Sequence, residues 1–164
     1  MPLLDTNLFV TDRFFKRDAK YADNRLFLDQ LSEIDATFSI FSLIELCGIS
    51  SFQLSDKELK LWMNDFGDTY PVTILYPDDL NEDMSSPIWF ESHTKAVFQI
   101  MRRKMTWGDA VIVLTAEQYQ VDAIVTWNKK DFIGRTSIPI LSPTEYLVNN
   151  SLTQLSDKEQ TKTK

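Results

Sequence analysis

The sequence predicts an α/β fold with a mainly parallel sheet, and three observations carry that prediction. Short apolar or β-branched runs alternate with helix-period segments along the whole chain. The run Ala123 to Thr126 is continuously apolar up to its last residue, as strands in the middle of a parallel sheet are. The 164 residues, 43% hydrophobic with Gly 4 and Pro 6, suit one domain with a sizeable core and show no internal repeat or linker. Right-handed crossovers follow from such an order of elements.

Residues 1 to 4 read as a very short strand, since Pro2 is tolerated at a strand start and Leu3 and Leu4 belong inside. It ends at Asp5, Thr6 and Asn7. A polar stretch with Arg13, Lys16, Arg17, Lys20 and Arg25 follows, and then Leu26, Leu28, Leu31 and Ile34 offer one helical face. From Ala36, the run Thr37, Phe38, Ser39, Ile40, Phe41 reads as a second strand, with Ser42 and Glu45 as a capping box opening the next helix. Ser55 and Glu58 repeat that box before a helix carrying Leu59, Leu61, Trp62 and Phe66. Pro71 to Tyr76 is a compact strand closed by Pro77, and Asp78 to Asp83 an acidic loop. Ser86 with Pro87 starts a helix that runs through Ile88, Ala96, Val97 and Ile100 to Arg102, Arg103 and Lys104. Thr106 starts another, whose stretch from Val111 to Ala116 is apolar nearly all round and therefore expected to be buried. Ile138 to Leu141 reads as a last edge strand, and Ser142 with Glu145 caps a final helix. Residues 1–152 are expected to form the domain and 153–164 a polar, disordered tail.

Composition excludes whole classes of function. Disordered, collagen-like and repeat-fibre chains do not look like this. Cys47 has no partner for an internal disulfide, and one thiol with one histidine, His93, makes no Cys/His zinc site. A reducing, cytoplasmic location is expected, because Met1 to Asp5 lacks the basic and apolar regions of a secretory signal. No apolar run approaches the roughly 20 residues of a membrane span. The formal charge of −7 argues against a basic nucleic-acid grip, but only weakly: with four acids set aside in a metal site, 20 acids face 17 bases.

Ligands of open α/β sheets bind beyond the carboxyl ends of the strands, so the first polar residues after each strand carry the argument. Asp5 follows the first strand, Glu45 is expected in the first turn of the helix after the second, Asp109 begins the buried helix, and Asp131 stands just past the Ala123 to Thr126 strand. Carboxylates without cysteine or histidine suit hard cations, Mg2+ or Mn2+. Such ions activate water and stabilise the leaving oxygen of a phosphodiester, so the implied chemistry is metal-assisted hydrolysis. Each acid also has a plain structural role open to it: Glu45 and Asp109 as capping-box partners of Ser42 and Thr106, Asp5 and Asp131 as helix caps. Their joint placement on one sheet edge favours the metal reading, because like charges gathered there need a cation.

The residues Leu3 to Asn7, Ser42 to Leu46, Gly108 to Ala110 with Ala116, Ile124 to Phe132 and Ser142 to Leu147 together resemble the PIN-domain ribonucleases, especially the VapC-like toxins of bacterial toxin–antitoxin pairs. These landmarks span nearly the whole chain in the order and at spacings similar to that family's. The resemblance implies a three-layer α/β/α PIN-like fold and a Mg2+- or Mn2+-dependent endoribonuclease. In it Asp5, Glu45 and Asp109 hold the metal, and Asp131 completes the site directly or through water. It further implies that Thr6, Asn7, Thr126 and Asn128 orient those carboxylates; Thr126 also suits a plain strand position and Asn128 a turn. A homodimer and a small inhibitory antitoxin are implied as well. Trp127 stands at a variable position of the family pattern, and the segment from Asp78 to Pro87 is more acidic than an RNA-facing surface.

Most other residues are expected to be structural. His93 is read as solvated or packed, Cys47 as a small hydrophobe, and Trp62, Trp89 and Trp107 as core. Trp127 could stack on a nucleotide, and the sets Arg13/Lys16/Arg17/Lys20 and Arg102/Arg103/Lys104 could touch phosphates if they flank the acidic crevice. Two other functions compete with the nuclease: a catalytically silent PIN-like RNA-binding or assembly module, and a phosphatase of the haloacid dehalogenase type. The latter needs a second Asp two residues after the first, where this chain has Asn7.

Overall fold

Three residues suffice for the central strand because both of its faces are covered. In the computed structural model, which describes residues 1–77 and 85–151, Leu3 and Leu4 of β1 (Pro2–Leu4) are both fully buried and feed opposite cores. The expected acidic loop at 78–83 and the tail at 153–164 lie outside the described residues.

The elements after β1 are α1 (Thr6–Phe14), α2 (Tyr21–Leu28), β2 (Thr37–Ser39), α3 (Ile40–Ser50), α4 (Asp56–Thr69), β3 (Thr73–Leu75), α5 (Ser86–Met101), α6 (Trp107–Gln118), β4 (Ala123–Val125) and β5 (Ile140–Leu141). A last helix, α7, covers 143–151. The five strands are all parallel in the order β3-β2-β1-β4-β5. Leu3 pairs with Ile124 and Leu4 with Val125, so each apolar pair shares a face. On one face, Leu4, Phe38 and Val125 meet Leu8 and Phe9 of α1, Phe27 of α2, Leu43 and Leu46 of α3, and Trp62 and Phe66 of α4. On the other, Leu3 and Ile124 meet Val97 and Ile100 of α5 and the apolar run of α6, buried from Ala110 to Ala116. The result is the expected three-layer α/β/α arrangement. Among the described residues no helix is long and apolar enough to cross a membrane.

Several boundaries differ from the sequence reading. The stretch after Asn7 is a helix, not irregular: Asp5 caps it, and Leu8 and Phe9 face the core while Arg13 faces out. The face assigned to Leu26, Leu28, Leu31 and Ile34 is broken in two, because α2 stops at Leu28 and a single 3-10 turn spans Leu31–Glu33. Leu26 is 57% exposed and Phe27 takes its place inside. Strand β2 stops at Ser39, whose hydroxyl accepts the Phe41 amide at 3.3 Å and caps α3 one turn earlier than expected. Ser42 is therefore buried inside the helix and forms no capping box with Glu45. Ser55 and Glu58 do form theirs, as do Ser142 and Glu145. Trp62 is core, but Trp107 is 51% exposed. His93 is packed, its ring stacked between Phe41 at 5.2 Å and Trp89 at 5.1 Å.

Candidate functional site

The strand order turns back between β1 and β4, so the chain leaves these two neighbours toward opposite ends of the sheet and opens a crevice at their carboxyl ends. Asp5 and Thr126 are the first residues past those ends. Asp5 stays in register because its amide donates to the Val125 carbonyl at 3.0 Å. Its extended backbone makes it the N-cap of α1, with Oδ1 accepting the Asn7 amide at 3.4 Å. Oδ2 accepts two further bonds, from Asn7 Nδ2 and from Thr126 Oγ1, each at 2.6 Å. Asn7 Nδ2 also donates to Thr126 Oγ1 at 2.9 Å, closing a triangle. The cap and the site are therefore one residue, and the two readings of Asp5 do not compete.

A cavity of about 240 Å³ opens over this triangle, with Asp5, Glu45 and Asp109 on its walls beside Thr6, Asn7 and Asn128. Glu45 reaches it from the second turn of α3, and Thr6 Oγ1 donates to its Oε2 at 2.8 Å. Asp109 stands in the first turn of α6, where its amide donates to Thr106 Oγ1 at 3.3 Å and its Oδ2 accepts the same hydroxyl at 2.6 Å. Gly108 matters here for close approach: a Cβ at this position would lie 3.0 Å from Glu45 Oε1. Glycine is what lets the Glu45 carboxylate rest against the start of α6.

Asp5 is only 7% exposed. Burial pushes its carboxyl up to about 6, the bonds from Thr126 and Asn7 pull it back down, and the nearby Asp109 and Glu45 charges push it up again. An acid that burial, and to a smaller extent neighbouring carboxylates, make reluctant to ionise is the kind of group a cation relieves.

The structure brings together seven of the eight residues the sequence singled out: Asp5, Glu45 and Asp109 in the cavity, Thr6, Asn7 and Asn128 on its wall, and Thr126 behind Asp5. Asp131 is not on the wall. It ends a 3-10 turn, Lys129–Asp131, with its carbonyl accepting Arg135 Nη1 at 2.7 Å. Asn128 faces the cavity in its stead, and its amide donates to Thr126 Oγ1 at 2.8 Å. The apolar wall of Val10, Ile49 and Ile112 was not foreseen, because nothing local in the sequence marks it. Trp127 is not a free stacking platform: its indole N–H donates to Asn24 Oδ1 at 2.8 Å and Lys20 Nζ lies 5.5 Å from its ring centre.

Oxygen donors without sulfur or imidazole fit a hard cation. Among the described residues, no group of three or more His, Cys, Asp or Glu side chains closes around one point as a metal cage does. The donor set therefore fits an ion that one or two of these carboxylates touch directly and the remainder reach through water, the usual manner of Mg2+.

Compared with protein-family models and with curated proteins, the sequence matches none. Solved structures match it in shape. FitAcB from Neisseria gonorrhoeae is 18% identical, with 87% of this chain and 98% of that one covered at a TM-score of 0.59. FitAB bound to an IR36 DNA fragment is 19% identical over 87% and 95%, at 0.60. A toxin–antitoxin complex from Klebsiella pneumoniae is 15% identical over 87% and 98%, at 0.56. The fold is PIN-like. Within this PIN-like fold, the three carboxylates of the cavity come from three separate elements, the start of α1, the body of α3 and the first turn of α6.

Proposed function

We propose that this protein is a Mg2+- or Mn2+-dependent endoribonuclease that hydrolyses phosphodiester bonds, and that it serves as the toxin of a toxin–antitoxin pair in the cytoplasm. One observation carries the reading: a buried Asp5 held by Asn7 and Thr126 shares a single open cavity with Glu45 and Asp109. The similarity in shape to a toxin–antitoxin complex supports the biological role, with RNA as substrate and a small antitoxin and a second copy of the chain as partners.

A divalent ion bound here would supply water activation and neutralise charge on the phosphate oxygens. Asp5, Glu45 and Asp109 would hold it. Thr6 fixes the rotamer of Glu45, Thr106 that of Asp109, and Asn7 with Thr126 that of Asp5, so each carboxylate is pre-oriented and needs little reorganisation. Asp131, off the wall, is left to act through water. Among the described residues no Ser/His or Cys/His pair lines the cavity, so attack by water rather than by a protein nucleophile is the consistent chemistry.

The test is a cleavage assay on structured and single-stranded RNA with Mn2+, Mg2+ or chelator, comparing wild type with Asp5→Asn and Asp109→Asn. Metal-dependent cleavage that both substitutions abolish, with circular dichroism unchanged, is the expected result. Full activity in both variants would sink the assignment. The openness of the carboxylate set favours one second reading, a catalytically silent PIN-like module that binds RNA or scaffolds an assembly. Calorimetry with Mn2+ separates the two, since the silent module takes up no ion.

A further inference from the structure

The Asn7 amide is held from two sides, and the second side leads out of the cavity. Its Nδ2 faces Asp5 and Thr126, while its Oδ1 accepts the backbone amide of Trp127 at 3.2 Å. That second bond decides which way the amide lies, because a flipped Asn7 would turn its oxygen toward Asp5 and its N–H groups toward another donor. The place of the Trp127 backbone is set in turn by its side chain. The indole N–H donates to Asn24 Oδ1 at 2.8 Å, Lys20 lies over the ring, and the ring packs against the α1-side core.

Asn24 is completely buried, and its Nδ2 donates to the Leu8 carbonyl at 2.9 Å, so it straps α2 to the first turns of α1 as well. Neither Asn24 nor Trp127 lines the cavity. A fully buried amide with both its groups used, one on a carbonyl near the site and one on an indole beside it, is an expensive feature to keep for packing alone.

We propose that Asn24 and Trp127 are a positioning pair: through the Trp127 backbone they hold the Asn7 amide, and through Asn7 the Asp5 carboxylate, in the orientation that receives a divalent cation. The second half of this statement rests on the site proposed above; the first does not. Placement of Asp5 is thereby tied to the seating of α2, an element that never touches the ion. Trp127→Phe removes the indole donor and keeps an aromatic ring. It also strands Asn24 Oδ1 in the interior, so its effect mixes positioning with stability. Asn24→Leu combined with Trp127→Phe removes both partners, which relieves the stranded acceptor but also gives up the bond to the Leu8 carbonyl, so its stability is read by urea denaturation beside the spectra.

The experiment follows the Asn7 side-chain amide in 15N-edited spectra of the full chain, identified by its loss in Asn7→Asp, alongside Mn2+ titration by calorimetry. In the wild type this amide should be slow to exchange with water. In Trp127→Phe and in the double variant it should move to the position and fast exchange of an exposed amide, with Mn2+ affinity about 10- to 100-fold weaker. An Asn7 amide that keeps its shift and protection in the double variant overturns the pair. A displaced amide with unchanged Mn2+ affinity overturns its link to Asp5. A wild type that takes up no Mn2+ overturns the site reading instead, while the amide signal still decides whether the pair holds Asn7.

Discussion

Thr6 and Glu45 meet across 39 positions of sequence: the Thr6 hydroxyl, buried at the start of α1, donates to Glu45 Oε2 at 2.8 Å. Glu45 is otherwise an exposed, flexible side chain, with Gly108 close on its other side. One short side chain on α1 thus selects the rotamer of an acid on α3.

Replacing Thr6 by Val keeps the volume and removes the donor. Calorimetry should show Mn2+ affinity falling by about 10- to 100-fold, with Thr6→Ser restoring most of it. The loss in stability should be about 1 kcal/mol, read from urea denaturation, because a single hydrogen bond to a solvent-accessible carboxylate is lost. Unchanged Mn2+ binding in Thr6→Val would show that the Glu45 rotamer is held by something else.

Asp5 predicts an unusual pH profile. Its folded carboxyl titrates at about 6, above the usual value of 3.8, so the native chain holds this proton more tightly than the unfolded chain. Stability from this group is complete at low pH and is lost as pH rises from about 4 through 6, leaving a cost on the order of 3 kcal/mol at pH 7.5 without metal. In chelator, the melting temperature of wild type relative to Asp5→Asn should therefore fall as pH rises from 4 to 7.5, on top of a pH-independent cost to the variant from the hydrogen bonds that only a carboxylate accepts. Added Mn2+ should raise the wild-type midpoint and leave that of Asp5→Asn where it was. A difference between wild type and variant that does not change between pH 4 and 7.5 contradicts the charge argument.

Glu45 and Asp109 on the cavity wall and Asp131 off it should separate in kinetics. Glu45→Gln and Asp109→Asn should each lower metal-dependent RNA cleavage by at least about 100-fold, the scale of losing transition-state charge stabilisation. Asp131→Asn should stay within about 10-fold of wild type, since no cavity contact is lost. Equal losses in all three would return Asp131 to the metal.

Ser42 and Ser55 look alike in sequence, each three residues before a Glu, yet only Ser55 caps a helix. Ser55→Ala should cost about 1 kcal/mol in chemical denaturation, while Ser42→Ala should cost little or add stability through its better helix propensity. Equal costs would mean the α3 start is misplaced.

That pair also shows where sequence reasoning reached its limit. The alternation of apolar runs and helix starts carries the architecture, because buried parallel strands and crossover helices leave period and composition signals that survive without neighbours. Asp5 and Asp109 were legible for the same reason, since they sit immediately past a strand end and in a first turn, whereas Glu45 lies a turn deeper in α3 than its place in the sequence suggests. The start of α3 was not, because four of the five residues from Thr37 to Phe41 are β-branched or aromatic and mask the cap that Ser39 makes before Ile40. Nor was α1, whose residues are mostly polar and whose burial is confined to Thr6, Leu8, Phe9 and Asp12. Asn24 was invisible as well: in sequence it is one polar residue of a charged helix, and its importance arises wholly from contacts with Leu8 and Trp127.

The central position of β1 also has a consequence in time. Asp5 and Thr126, whose side chains join at 2.6 Å, are separated by 121 residues, and the sheet between them closes only by parallel pairing of β1 with β4. On the ribosome, Asp5 emerges well before Thr126 and then waits for most of the domain to be made before that partner follows. Long-range parallel pairing of this kind is slow to form. A nascent chain carrying α1 to α5 has the acids of α1 and α3 but neither Asp109 nor Thr126, and so no finished pocket. For a protein proposed to cut RNA, topology acts as a safety interlock: the message being translated is read past β4 before the product can be armed.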